Sequence, residues 1–65
     1  MEYQILSLAE VESATSLSRA SVYRRMKDDD TFPKPVSLGG RRIGFVKSEV
    51  GAWIQARINA ARSAV

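Results

Sequence analysis

A chain of 65 residues has room for one domain around a small core. It contains no cysteine and no histidine, so no disulfide can brace it, no thiolate or imidazole can bind a metal, and the usual base at neutral pH is missing. The net charge of +3 is uneven: residues 1–18 carry Glu2, Glu10 and Glu12 and no base, whereas eight of the ten basic residues lie between Arg19 and Lys47. That asymmetry suits a surface that binds a polyanion, and equally a solvated basic face with no partner.

Met1-Glu2-Tyr3-Gln4 has no basic, apolar leader of the signal-peptide kind, and no stretch is long enough to span a bilayer. A cytoplasmic protein without a membrane partner is expected. Met1 to Gln4 should fray, while Ile5 and Leu6 pack. Ser7-Leu8-Ala9-Glu10 reads as a capping box, in which Ser7 and Glu10 each satisfy the other's backbone N–H. A first helix is expected from about Leu8 to Ala14, with Leu8 and Val11 inward. Thr15-Ser16 breaks it and Leu17 plugs the corner.

Ser18 can cap a second helix that ends near Lys27. Val22 and Met26, four apart, fall on its inner face. Arg19, Ala20, Tyr23 and Arg24 fall on another face, which is short, basic and free of carboxylates. Two short helices joined by a tight turn form a helix-turn-helix unit. Asp28-Asp29-Asp30 then reads as a polar stop; consecutive carboxylates cannot converge on one metal ion.

Thr31-Phe32-Pro33-Lys34-Pro35 must be extended, because each proline biases the residue before it away from helix. Phe32 is expected in the core. Val36-Ser37-Leu38 and Ile43-Gly44-Phe45 alternate around Gly39-Gly40-Arg41-Arg42, a β-hairpin whose tip is two arginines. Beside a helix-turn-helix, a hairpin over 36–46 looks like a wing that sets basic side chains on the DNA backbone or in the minor groove. From Ser48 a third helix is expected, with Val50, Trp53, Ile54 and Ile58 on one face and Ala61 continuing it. Trp53 reads first as core beneath the hairpin, and second as a base-stacking or partner surface. Gly51 costs about 1 kcal/mol against alanine, unless it permits close backbone packing. The tail from Asn59 to Val65 should fray.

These elements predict a mostly α fold with one β-hairpin: a winged helix-turn-helix of three helices and a two-stranded wing. Residues 1–65 form one domain with its core at about 5–58. Catalysis is not expected, since there is no phosphate-binding glycine loop and no room for a lined pocket; nor is a cofactor. The partner expected is double-stranded DNA. Arg19, Ala20, Tyr23 and Arg24 would enter the major groove, with Ser18, Ser21, Arg25 and Lys27 on phosphates and Arg41 and Arg42 clamping the flank. Tyr23 could instead lay its ring on the first helix and give only its hydroxyl to a phosphate, and Arg25 could simply be solvated. A module this small covers little DNA, so self-association or cooperative binding on adjacent sites is expected.

Leu17-Ser18-Arg19-Ala20-Ser21-Val22-Tyr23-Arg24, Phe32-Pro33-Lys34-Pro35-Val36, Leu38-Gly39-Gly40-Arg41, and Ser48-Glu49-Val50 with Ala52-Trp53-Ile54 together resemble the AlpA family of small prophage regulators, akin to excisionases and MerR-type DNA-binding domains. The resemblance runs from about Ile5 to Arg57 with its motifs in order. It implies a bacterial or phage regulator of integration and excision genes, working with integrase or RNA polymerase. Two alternatives stand beside that: an excisionase that bends attachment-site DNA, and a protein-binding antirepressor module. The chain departs from the family pattern at Ser16 and Asp30, where glycine is usual, and at Gly51, where a polar residue is usual.

Overall fold

The local signals above lead to three helices and a three-stranded antiparallel sheet in a computed structural model that describes residues 3–63. In chain order they are β1 (Ile5–Leu6), α1 (Leu8–Thr15), α2 (Arg19–Asp28), β2 (Val36–Gly39), β3 (Arg42–Val46) and α3 (Lys47–Ser63). Expectations for Met1, Glu2, Ala64 and Val65 lie outside the described residues.

The capping box of α1 is complete. The Glu10 N–H donates to Ser7 Oγ at 3.1 Å, and the Ser7 N–H donates to Glu10 Oε1 at 2.9 Å. The Ser7 backbone N–H first, and the nearby Ser7 hydroxyl second, hold the Glu10 carboxyl below the usual carboxylate range. α1 ends on Ser16, whose φ of 59° makes it the sole left-handed non-glycine among the described residues. A serine there carries strain of about 1 kcal/mol that glycine would avoid. Thr15 offsets part of it: its hydroxyl donates to Val11 O at 2.7 Å and accepts from the Leu17 N–H at 3.3 Å, tying down the exit. Asp30, by contrast, is not left-handed and carries no such strain.

β3 is the central strand, with β2 on one side and β1 on the other. Val36 faces Gly44, Ser37 faces Ile43, and Gly39 faces Arg42, with an irregularity between Ser37 and Gly39. The turn is therefore Gly40-Arg41, made possible by positive φ at Gly39 (103°) and Gly40 (58°). This corrects one detail of the sequence reading: Arg41 sits at the tip, but Arg42 is the first residue of β3. β1 is the element that sequence did not reveal, so the expected two-stranded wing gains a third strand. Ile5 pairs with Val46 and Leu6 with Phe45, and the Lys47 N–H donates to Gln4 O at 2.8 Å. Gln4 is thus tied to the sheet rather than frayed. Gly44 makes this close fit feasible, because a Cβ there would collide with Ile5 Cγ2 from β1.

The core lies where α1, α2, α3 and β3 meet. Val11, Val22 and Phe45 are fully buried, 0% exposed, and Phe32, Val50 and Trp53 nearly so. Leu6, Leu8, Leu17, Met26 and Ile54 pack around them. Phe32 presents an edge to Trp53 at 5.0 Å between ring centroids and to Phe45 at 6.3 Å, the T-shaped geometry that aromatic quadrupoles favour. The apolar face of α3 stops contributing earlier than its periodicity suggests: Ile58 is 37% exposed and Ala61 lies open. A helix of 17 residues is about 26 Å long and overruns a core this small. It nevertheless stays helical through Ser63, where fraying was expected from Asn59. Its alanines are strong helix formers, and Gln55 Nε2 donates to Asn59 Oδ1 at 3.0 Å. Gly51 is exposed with open space beside its Cα, so it serves no close backbone contact. No described helix is long and apolar enough to cross a membrane.

Candidate nucleic-acid interface

α2 is fixed at its start by its own serines. The Ser21 N–H donates to Ser18 Oγ at 3.2 Å, and the Ser18 hydroxyl donates onward to Ser21 Oγ at 3.0 Å. Val22 anchors the helix inward, at 0% exposure, so the remaining faces are decided. Arg19, Ala20, Tyr23, Arg24 and Lys27 are all exposed. Tyr23 is 50% exposed, so half of it remains open to a partner. On the hairpin, Arg41 and Arg42 are exposed as well.

The cations of α2 and the hairpin divide into two kinds. Arg24, Lys27, Arg41 and Arg42 have no ion-pair partner among the described residues. Arg19 and Arg25 do. Arg19 Nε donates to Glu12 Oε2 of α1 at 3.1 Å. Arg25 is half-buried: its Nη1 donates to Asp29 Oδ2 at 3.4 Å, and its guanidinium lies 5.7 Å from the Trp53 ring centroid. Arg57 approaches the same ring at 5.6 Å. Arg25, assigned to a phosphate on sequence grounds, is therefore held on the protein's own flank. Trp53 is core, as its first reading had it. Its buried indole N–H makes no hydrogen bond of ordinary geometry, although it lies close enough to Asp29 to favour the carboxylate.

Asp29 does more than stop the helix. Its backbone N–H donates to Arg25 O at 2.9 Å, and its carboxylate accepts from the Thr31 hydroxyl and from the Thr31 N–H at 2.9 Å. The Thr31 hydroxyl, then the Thr31 N–H, hold the Asp29 carboxyl below its usual range, with smaller help from Trp53 and Arg25. This turn delivers the chain from α2 to the buried Phe32 and Pro33.

The site is thus a set of exposed cations and one phenol on a capped helix, plus two arginines on a hairpin. Such groups donate hydrogen bonds and neutralise anions. Among the described residues no group of three acidic or metal-ligating side chains could hold a metal ion. The model of the Prophage CP4-57 regulatory protein (AlpA) family matches residues 4–58, spanning α1, α2, the wing and most of α3. The chain belongs to the AlpA family. It is 38% identical over 55 residues to the uncharacterized protein ORF88 of Enterobacteria phage P4, covering 85% of this chain and 61% of that protein. It is 32% identical over 59 residues to the DNA-binding transcriptional activator AlpA of Escherichia coli, covering 83% and 84% of the two chains. The chain thus spans less than two thirds of the phage relative's length. No solved structure gives a significant match.

Within this AlpA-family frame, sequence reasoning missed Glu12 and Asp29 as arginine partners. The Arg25–Asp29 spacing of four was a legible helical signal. The Glu12–Arg19 pair was not, because it crosses a turn between two helices and has no fixed period.

Proposed function

We propose that this chain is a sequence-specific double-stranded DNA-binding regulator of transcription, acting on integration or excision genes of a prophage or mobile element. In this reading α2 enters the major groove with Arg19, Ala20, Tyr23 and Arg24 toward base edges. Ser18, Ser21 and Lys27 lie near phosphates, and Arg41 and Arg42 of the wing reach the flanking backbone or minor groove. The observation that carries it is α2 itself: an N-capped helix, anchored by Val22, whose exposed side holds two arginines and a tyrosine in a pattern that fits the groove. The named activity of the Escherichia coli relative supports the same reading. Arg25 is assigned a structural role here, since it is occupied by Asp29 and Trp53.

A protein of this kind works in the cytoplasm, on the nucleoid. Several copies on adjacent sites supply the specificity that one small module lacks, and integrase or RNA polymerase are the natural protein partners. The test is recovery of bound genomic fragments, followed by affinity measurements on the recovered site across a salt series. Arg24→Ala should lose about 1–3 kcal/mol on the recovered site and relax preference at one base pair. Arg41→Ala should weaken all duplexes alike and lower the salt slope by about one. Binding that ignores salt and both substitutions would refute the proposal. Recovery at attachment sites with strong bending would turn it into an excisionase.

A further inference from the structure

The Glu12–Arg19 pair joins the two helices across the turn. Only Arg19 Nε is used, toward Glu12 Oε2 at 3.1 Å. The terminal Nη1 and Nη2 groups, the fork that matches guanine O6 and N7, make no hydrogen bond to Glu12. The carboxylate is the shielded member, its side chain 26% exposed, and the guanidinium the projecting one, at 62%. The backbone between them is held at several points. Val11 and Val22 are fully buried, Thr15 bonds to Val11 and Leu17, and Ser18 caps α2. The spacing of the two side chains is therefore set by the fold and not by chance encounter.

An exposed pair of this kind adds little to folding stability. It also sets a negative charge beside a surface proposed to meet phosphates, which weakens attraction to any duplex. What it does supply is a fixed direction for a long side chain that otherwise samples many rotamers, so less freedom is lost on binding. We infer that Glu12 is a positioning residue for DNA recognition: it steers the Arg19 fork toward one base pair, exchanging general affinity for specificity. This rests on the proposed DNA-binding function and names a residue that touches no base.

The experiment measures affinity of the full chain for the recovered site, for single base-pair variants of it and for unrelated duplex, at fixed salt. Glu12→Ala should bind unrelated duplex about two- to threefold more tightly, through loss of a repelling charge. Its preference for the recovered site should fall about tenfold, with the relaxation confined to the base pair that Arg19→Ala also relaxes. On an Arg19→Ala background, Glu12→Ala should change preference no further. Glu12→Gln, which keeps size and an acceptor oxygen, should fall between wild type and Glu12→Ala. Thermal melts of the single variants should stay near wild type, which separates positioning from folding. If wild type prefers its site and Glu12→Ala raises all affinities by one factor, the inference is overturned and the DNA reading survives. If wild type shows no preference for any duplex, both fall.

Discussion

α2 and the hairpin carry the same kind of charge on opposite kinds of support. α2 is held by its own neighbours: a serine cap, a buried valine, Glu12 across the turn, and Asp29 with Trp53 at its far end. Every residue of β2 is exposed, and Arg41 and Arg42 are unpaired among the described residues. The hairpin owes its position to Phe45 and Gly44 on the buried part of β3 and to the backbone pairing of β1 and β2 with β3. Pre-oriented arginines suit discrimination between bases, because direction decides which edge they meet. Unpaired arginines on an open ribbon suit phosphates, which reward charge wherever it is placed.

The largest test of that contrast removes Phe45, the fully buried β3 residue in the same core cluster as Val22 of α2. Phe45→Ala should cost about 3–5 kcal/mol. A domain of this size has little stability in reserve, so the variant should lose its cooperative thermal transition altogether. A transition that survives within a few degrees of wild type would show that Phe45 is not the keystone.

Smaller substitutions should separate the regions. Gly39→Ala forces a side chain onto a backbone at φ 103° and should cost about 1–2 kcal/mol. Ser18→Ala removes the α2 cap and should cost about 1 kcal/mol. Amide exchange should quicken in β2 and β3 for the first and in the first turn of α2 for the second. Equal quickening everywhere in both variants would mean that the domain opens only as a whole.

The mildest test is acid. Asp29 and Glu10 titrate below their ordinary values in the folded chain, so each adds stability that is present above the unfolded carboxyl range, near pH 4. That contribution disappears as pH falls through the lower folded value. The hairpin has no share in it, since residues 31–48 contain no carboxylate. Asp29→Asn should therefore melt below wild type at pH 6, with the gap narrowing as pH falls through the carboxyl range and the difference centred on the end of α2. A constant gap at all pH values would remove the titration from the account.

Much of this was legible in the sequence because the signals are short-range. Ser7 with Glu10, Ser18 with Val22, and the Gly39-Gly40 pair each specify their element through contacts within one turn of chain. The two prolines kept 33–35 out of helix, and family motifs placed these elements in order. Thr31 and Phe32, expected to be extended as well, belong to the turn that the Phe32 N–H closes on Asp29 O at 3.1 Å. The strand at Ile5-Leu6 was not legible, since two residues have no period, and it exists only because Val46 and Phe45 offer it an edge. The reach of the core along α3 was not legible either: Ile54 and Ile58 look alike in sequence, and only the extent of the folded core decides that the first packs against it and the second is 37% exposed. The fate of each arginine belongs to the same class. Composition supplied the cations and helical spacing chose the face, but whether a guanidinium stands free, leans on Glu12 or lies over Trp53 depends on groups brought close by the turn at Ser16 and by α3. Propensity and capping act between neighbours in the chain, whereas charge pairing and burial act between neighbours in space.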